Sequence, residues 1–132
     1  MSTDETAAIR RTLLDYIEGF YDGDAARMES SLHPELAKRI AHPDPTSGRT
    51  HLAEMSALLL TRLTRDKASR PTPKADQRKD ITVLDIFQNA TSAKIVASTW
   101  IDYLHLSKVN GRWVIVNVLW EMKPGHAFAP YW

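Results

Sequence analysis

The first part of the chain carries apolar residues every three or four positions, which is the period of an amphipathic helix. The buried stripe of this predicted first helix consists of Ile9, Leu13, Tyr16, Ile17 and Phe20. Ser2 and Glu5 have the spacing of a capping box at its start, and Gly23 predicts its end.

Two further helices are predicted after Gly23. Asp24 is suited to cap a short second helix, which ends before Pro34 because the residue preceding a proline avoids the helical region. Residues 36–41 predict a short strand, and the Pro, Asp, Ser and Gly residues that follow predict a turn. Thr50 is predicted to cap the third helix. The buried face of that helix would consist of Leu52, Met55, Leu59 and Leu63.

From residue 80 onward the apolar period changes to two. Residues 81–87, 93–106 and 112–122 are rich in Val, Ile, Thr and aromatic residues, which is the composition of strands. Asn110-Gly111 predicts a two-residue hairpin turn, because both turn positions favour positive φ. Helices followed by an antiparallel meander indicate an α+β fold with the helices on one face of the sheet.

The predicted turn also sets a register for the last hairpin, and the register predicts two faces. One face would carry Trp100, Asp102, Leu104, Leu106, Trp113, Ile115, Asn117, Leu119 and Glu121. The other would carry Thr99, Ile101, Tyr103, His105, Val114, Val116, Val118, Trp120 and Met122. Both faces are strongly apolar, whereas a sheet with one side in water has one polar face. We therefore expect one face to cover the helices and the other, including Val116, Val118 and Trp120, to form a homodimer interface.

The first of these faces combines large apolar residues with a few polar groups, as small-molecule pockets do. Burial there would raise the pKa of the Asp102 carboxyl, which could then act as a general acid or base near neutral pH. In the alternative interpretation, Asp102 and Glu121 lie near strand ends, reach water or pair with arginine, and do no chemistry.

Composition limits the classes of protein that fit. The chain has 132 residues, 43% of them hydrophobic and 25% charged, which indicates one domain over residues 1–132. The absence of cysteine excludes disulfides and cysteine-ligated zinc. No apolar run approaches the ~20 residues of a membrane span, and the first four residues do not resemble a signal peptide. We therefore expect a cytoplasmic protein without membrane contact.

A formal net charge of +1 gives no reason to expect a nucleic-acid partner. Residues 66–79 are basic and contain two prolines, but they lack the interleaved aromatic residues that bind single strands. They are expected to form a solvated connection.

Three stretches, residues 16–24, 32–35 and 100–117, carry a resemblance to a known superfamily. The chain resembles the nuclear transport factor 2-like superfamily over roughly residues 5–123, and within it the putative lumazine-binding family. That family is related to the SnoaL-like polyketide cyclases and the ketosteroid isomerases. The resemblance implies a cone-shaped, curved antiparallel sheet wrapped around N-terminal helices, with a deep pocket and dimers formed through the sheet. Ketosteroid isomerases pair an aspartate base with a tyrosine and a protonated aspartate. No motif maps that full set onto this chain, so the resemblance implies a pocket position for Tyr16 and Asp102 but not their roles.

The first functional hypothesis is an enzyme of isomerase, cyclase or dehydratase type that moves protons on a small, largely apolar carbonyl or polycyclic compound. Asp102 would be the acid or base, and Tyr16, His33 and Asn117 would orient the substrate or stabilise an enolate oxygen. The expected substrate contacts are Asn117, Trp100, Trp113, Glu121 and Phe20. A non-catalytic dimer that binds a small ligand is the alternative, and a purely structural dimer is the third possibility.

Metal and cofactor sites are not expected. His33, His42 and His51 lie near Asp44 in the sequence, but their spacings match no standard ligand pattern. No glycine-rich phosphate loop is present, which argues against a nucleotide cofactor. The C-terminal tail carries three aromatic residues, Phe128, Tyr131 and Trp132. A frayed terminus is the default for such a tail. The alternative hypothesis is that these residues dock over the pocket mouth or on a partner subunit, because they would be costly to leave in water.

Overall fold

A computed structural model describes residues 3–129, which form three α-helices and six β-strands. The helices are α1 (Thr3–Asp22), α2 (Ala25–Ser31) and α3 (Ala57–Lys67). The strands are β1 (Leu32–Pro43), β2 (Thr50–Ser56), β3 (Asp80–Phe87), β4 (Ala90–Val96), β5 (Trp100–Val109) and β6 (Arg112–Met122).

The six strands form one mixed sheet in the order β2-β1-β6-β5-β4-β3. Neighbouring strands are antiparallel except β1 and β6, the second and third strands of the sheet, which run parallel. The helices pack on one face of this sheet, so the predicted α+β class is confirmed. No helix within residues 3–129 is long and apolar enough to cross a membrane.

The predicted ends of the first two helices agree with the structure. Gly23 ends α1 at a φ of +72°, which most other residues avoid. The Asp24 side chain caps α2 by accepting a hydrogen bond of 3.1 Å from the backbone N–H of Arg27. Ser2, the other half of the predicted capping box, lies outside the described residues.

The predicted start of the third helix is wrong. Thr50 begins β2, which forms a hairpin with β1 in which His42 lies opposite His51. Helix α3 begins at Ala57 and is capped by Ser56, whose hydroxyl accepts a hydrogen bond of 3.1 Å from the backbone N–H of Leu59. Residues 50–56 fit both the helical and the strand period. Their apolar residues recur at helical spacing, but the buried Ala53 and Met55 also alternate with exposed neighbours, as in a strand. The available edge of β1 favours the strand.

The strands also differ in number and length from those predicted. Residues 93–106, predicted as one strand, contribute to β4 and β5, which are separated at residues 97–99. The predicted short strand at 36–41 extends over all of β1, including Pro34. The second half of the chain is therefore a meander of four strands.

The core lies between the helices and the inner face of the sheet. The predicted stripe of α1 is confirmed, because Ile9, Leu13, Tyr16 and Ile17 are at most 1% exposed and Phe20 is half-buried. The strands contribute further buried residues to the same cluster, namely Leu32, Leu36, Met55, Ala93, Ile95, Leu104, Leu106, Trp113, Ile115 and Val118.

A β-bulge in β6 changes the register of the last hairpin. The predicted pairing holds from the Asn110-Gly111 turn as far as Leu106, which lies opposite Ile115. The next residue of β5, His105, lies opposite Asn117, so Val116 is an extra residue in β6.

Beyond the bulge, the predicted pairs are wrong by one residue. Leu104 pairs with Val118, Asp102 with Trp120, and Trp100 with Met122. A shift of one residue exchanges the two faces of a strand. Val118 and Trp120 therefore point into the core rather than to the predicted dimer face.

Candidate functional site

An apolar cavity of about 140 Å³ lies between the helices and the inner face of the sheet. Helices α1 and α3 contribute one wall, and single residues of β1, β2, β5 and β6 contribute the other. Its lining residues are Tyr16, Ile17, Phe20, Lys38, Met55, Leu60, Leu63, Trp100 and Trp120. Nearly all of this surface is hydrocarbon or aromatic, so the few polar atoms decide what chemistry the cavity offers.

These polar atoms belong to a chain of hydrogen bonds that leads from the cavity into the core. The Lys38 ammonium Nζ donates to the Tyr16 hydroxyl over 2.6 Å. The Tyr16 hydroxyl donates to Asp102 Oδ2 over 3.1 Å, and Trp100 Nε1 donates to the same oxygen over 3.0 Å. We refer to Lys38, Tyr16 and Asp102 as the relay.

The relay is removed from water. Asp102 is fully buried and lies behind the cavity wall, so it acts on the cavity through Tyr16 and Trp100. Its second oxygen, Oδ1, has no hydrogen-bond partner within the described part of the chain. A carboxylate oxygen left without a donor in an apolar core is costly, which favours the protonated acid.

Strand geometry explains how a lysine reaches this position. Lys38 lies between Leu36 and Ile40 on β1, and all three side chains point to the buried face. Its Nζ is 5.2 Å from the ring centre of Trp120 and 5.1 Å from that of Tyr16. These aromatic faces offset part of the cost of bringing the nitrogen out of water.

Burial shifts the pKa values of all three groups in the relay. It raises the pKa of the Asp102 carboxyl, an effect that the Lys38 charge and the hydrogen bonds from Trp100 and Tyr16 oppose. It lowers the pKa of Lys38, against the attraction of Asp102. It also raises the pKa of Tyr16, to which the Asp102 charge adds. The phenol therefore keeps its proton, while one proton can pass between Lys38 and Asp102 through it without changing the net charge.

The structure brings four of the residues expected at the site together. Tyr16, Phe20 and Trp100 line the cavity, and Asp102 lies directly behind it. The Phe20 and Trp100 rings meet edge to face, with centres 5.7 Å apart.

Two expected site residues lie on the opposite face of the sheet, because the bulge at Val116 turns them outward. Asn117 is hydrogen-bonded across the strands to His105, with 3.2 Å between Nδ2 and Nδ1. Glu121 is exposed and lies opposite Ile101. The prediction that they lie inside the pocket is wrong.

Two more expected site residues lie on the inner side or at its edge, but at a distance from the relay. The Trp113 indole donates to Glu5 over 2.6 Å in a separate depression near the hairpin turn. His33 is at the start of β1 beside the same turn, where its Nδ1 accepts a hydrogen bond of 3.0 Å from the backbone of Glu35. The expectation that the chain turns into the pocket at His33 is wrong, because β1 must run several residues further before it reaches the cavity.

The sequence interpretation did not assign six of the lining residues to the site, namely Ile17, Lys38, Met55, Leu60, Leu63 and Trp120. Lys38 and Trp120 matter most, because Lys38 carries the nitrogen of the relay and the Trp120 ring lies beside it. The signal for Lys38 was present, since a predicted strand with Leu36 and Ile40 on one face places Lys38 on that face too. Trp120 was assigned to the outer face by the register without the bulge.

The histidines near Asp44 do not converge. Residues 3–129 contain no group of three His, Cys, Asp or Glu side chains arranged to hold a metal ion. His51 Nε2 is 3.9 Å from Asp44 Oδ2, and His42 packs against the Phe128 ring, with centres 5.0 Å apart.

Phe128 brings the C-terminal tail to the edge of the site. Its ring meets Trp120 with centres 5.5 Å apart, so it touches a residue of the cavity wall. Tyr131 and Trp132, the other aromatic residues of the tail, lie outside the described residues.

Comparison with known sequences places this arrangement in a family. Residues 4–121 match the family described as putative lumazine-binding. The chain belongs to this family. No curated protein matches the sequence of this putative lumazine-binding family member.

Solved structures with the same fold are available from several bacteria. A nuclear transport factor 2-like protein of unknown function from Shewanella baltica is 21% identical, with a TM-score of 0.78 over 95% of this chain and 98% of that chain. A similar protein of unknown function from Silicibacter pomeroyi is 18% identical, with a TM-score of 0.75 over 93% and 100%. A ketosteroid isomerase-like protein from Erwinia carotovora is 12% identical, with a TM-score of 0.64 over 92% and 98%. At these identities the solved structures show that this protein shares their fold. Its chemistry must be argued from its own residues.

Proposed function

We propose that this protein binds a small, mostly apolar aldehyde or ketone in its cavity and catalyses proton transfer on the bound compound. The observation that carries the proposal is the relay, which ends with a lysine nitrogen at the wall of an otherwise apolar cavity. Convergent titratable groups with shifted pKa values in an apolar cavity are typical of active sites.

The volume of the cavity limits the size of the ligand. An apolar protein cavity of ~150 Å³ accommodates benzene, and the cavity here is about 140 Å³. This favours a single-ring or short-chain compound over the polycyclic substrates included in the sequence hypothesis.

The polarity of the cavity limits the ligand further. Lumazine, after which the family is named, is a bicyclic dione with several ring nitrogens, and each of these needs a hydrogen-bond partner when it is buried. The cavity offers the nitrogen of Lys38, the hydroxyl of Tyr16 and otherwise mostly hydrocarbon. A compound with one carbonyl group suits it better.

The relay supplies both the base and its proton store. With the proton on Asp102, Lys38 is an amine that can take a proton from the carbon next to the carbonyl. The resulting ammonium faces the enolate in a medium with few competing dipoles, where the attraction between opposite charges is strong. Return of the proton to the same carbon or to another one completes an exchange or an isomerisation. Asp102, which the sequence hypothesis made the direct acid or base, acts here through Tyr16.

The experiment is deuterium exchange at the α-carbon of cyclohexanone in D₂O, followed by NMR, together with ligand-observed NMR for binding. The protein should accelerate exchange above the buffer rate, and Lys38→Met should remove the acceleration. Lys74→Met is the matched control, because the Lys74 side chain is 73% exposed and pairs with Asp22 outside the cavity. If neither cyclohexanone nor other single-ring ketones and aldehydes bind, the proposal is wrong.

The second candidate function is binding without catalysis, and the apolar character of the lining favours it. Binding of cyclohexanone with exchange at the buffer rate in the wild type would support this function and contradict the catalytic one.

We also propose that the protein forms a homodimer through the outer face of the sheet. Tyr103 on β5 and Leu119 on β6 lie opposite each other on that face and are 44% and 50% exposed. Exposed apolar residues that adjoin in this way are suited to an interface.

A further inference from the structure

The environment of Lys38 suits a nucleophile better than a permanent cation. The residue is 7% exposed, and its hydrogen-bond partner among the described residues is the Tyr16 hydroxyl. An ammonium carries three N–H donors, so two of them would face aromatic rings or the mostly apolar cavity. A neutral amine has a lone pair that can point into the cavity and needs fewer partners.

We propose that Lys38 forms an imine with the carbonyl carbon of the bound compound, so that the site selects aldehydes and ketones. The inference rests on the proposed function, since it uses the same cavity and the same class of ligand. It adds a covalent step that the proton-transfer proposal does not require.

The covalent step is balanced without any further reactant. The lone pair of Lys38 Nζ forms the C–N bond, and the π electrons of the carbonyl move to its oxygen. The nitrogen gives up one proton and the oxygen takes one, which yields a carbinolamine. A second proton transfer to that oxygen lets it leave as water with the C–O electron pair, while the nitrogen lone pair forms the C=N bond.

Tyr16 is placed to carry these protons. Its hydroxyl is 2.6 Å from Lys38 Nζ, and the proton store at Asp102 is 3.1 Å beyond it. The same hydroxyl can therefore take the proton from nitrogen and deliver one to the departing oxygen.

Two properties of the cavity support an imine. Burial lowers the pKa of Lys38, which increases the fraction of the nucleophilic amine near neutral pH. The mostly apolar walls also offer water few hydrogen-bond partners, which disfavours hydrolysis of the C=N bond. An iminium withdraws electrons from its neighbouring carbon more strongly than a carbonyl does, so the covalent step would assist the proposed proton transfer. With its lone pair in the C=N bond, Lys38 would no longer be the base, and the Asp102 carboxylate would take the proton through Tyr16.

The experiment is reductive trapping with cyclohexanone and sodium cyanoborohydride, followed by intact-mass and peptide mass spectrometry. In the wild-type protein we expect one adduct per chain, with labelling of Lys38 at least tenfold above that of Lys74. The comparison is made within one molecule, so it does not depend on the folding of any variant. In Lys74→Met, labelling of Lys38 should be unchanged, whereas Tyr16→Phe should slow it at least tenfold.

The outcomes separate this inference from the proposed function. Binding and α-exchange of cyclohexanone, with Lys38 labelled no more than Lys74, would overturn the imine and leave the proton-transfer proposal intact. An adduct at Lys38 without accelerated exchange would support the imine and contradict the proton transfer. Absence of both binding and labelling would overturn both.

Discussion

Lys38 Nζ lies 2.6 Å from the Tyr16 hydroxyl, and this contact joins strand β1 to helix α1 inside the core. The contact is unusual because both partners are buried, and the carboxylate that completes the relay, Asp102, is on the far side of the tyrosine. The lysine and aspartate are thus coupled through a phenol instead of forming a direct ion pair. This separation leaves the nitrogen at the cavity wall, where it can meet a ligand.

Removing the Tyr16 hydroxyl should test the coupling directly. Tyr16→Phe leaves Lys38 Nζ without its acceptor and removes one of two donors to Asp102 Oδ2. We expect a loss of about 1–3 kcal/mol in the free energy of unfolding, as for other unsatisfied buried polar groups. The measurement is urea denaturation followed by circular dichroism. Tyr103→Phe, on the outer face, is the matched control, and equal stability losses in the two variants would contradict a special role for the relay.

Asp102→Asn should make the protein more stable relative to the wild type as pH rises. The pKa of Asp102 is raised above 3.8 in the folded state, even though the Lys38 charge and the hydrogen bonds from Trp100 and Tyr16 oppose the shift. The stability from this group is therefore present below that value and is lost as pH rises through the folded-state pKa.

Asparagine does not ionise, so the difference in unfolding free energy between Asp102→Asn and the wild type should grow from pH 4 upward. Thermal melts at a series of pH values measure this difference. Any pH-independent effect of the asparagine on stability does not alter how the difference changes with pH. Asp66→Asn, an exposed change outside the relay, is the control. A difference that is flat or decreases with pH would show that burial does not favour the protonated form.

Gly23→Ala should destabilise the protein through a steric clash. A Cβ at Gly23 would lie 2.3 Å from the backbone of Ala68, at the end of α3, and the residue has a φ of +72°. Gly48→Ala has a similar φ of +74° with open space around it, so it isolates the backbone strain. We expect the free energy of unfolding to fall by about 1–2 kcal/mol in the control. In Gly23→Ala it should fall by about 1–3 kcal/mol more. Equal losses in chemical denaturation would contradict the close approach of α1 and α3.

Insertion of an alanine between Val116 and Asn117 should abolish cooperative folding. If the bulge keeps its size, the extra residue shifts β6 by one position beyond the bulge, which would bring Asn117 and Glu121 to the core face and turn Val118 outward. Val116→Ala keeps the residue count and should cost about 1 kcal/mol, a typical value for a point mutation. Circular dichroism melts compare the two, and an insertion variant as stable as Val116→Ala would show that the residue count at the bulge does not set the register.

Leu119→Lys should shift the protein from dimer to monomer in size-exclusion chromatography with light scattering. The side chain is half exposed beside Tyr103, and a charge there would be buried without a partner in the proposed interface. Leu58→Lys is the control, because Leu58 is 81% exposed on α3, away from the sheet. A wild-type protein that is monomeric at micromolar concentration would contradict the dimer.

Local sequence determined the features that depend on neighbouring residues. The apolar stripe of α1, the stop at Gly23, the cap at Asp24 and the hairpin turn at Asn110-Gly111 all follow from short-range geometry, and the structure confirms each of them. The change of period near residue 80 was enough for the α+β class, and the resemblance carried by three longer stretches was enough for the family.

Only the tertiary structure decided the features that depend on distant partners. Residues 50–56 fit a helix or a strand until the edge of β1 is available to pair with them. The bulge at Val116 arises where the hairpin must satisfy packing on two faces at once, so the turn alone did not predict the register beyond Leu106. Lys38 alternates with Leu36 and Ile40 in the sequence, but its burial follows from the pairing of β1 with β6, which brings it beside Tyr16 and Trp120. The pKa and reactivity of a side chain depend on its burial and on its hydrogen-bond partners. For Lys38, residues far away along the chain provide both the burial and the partner.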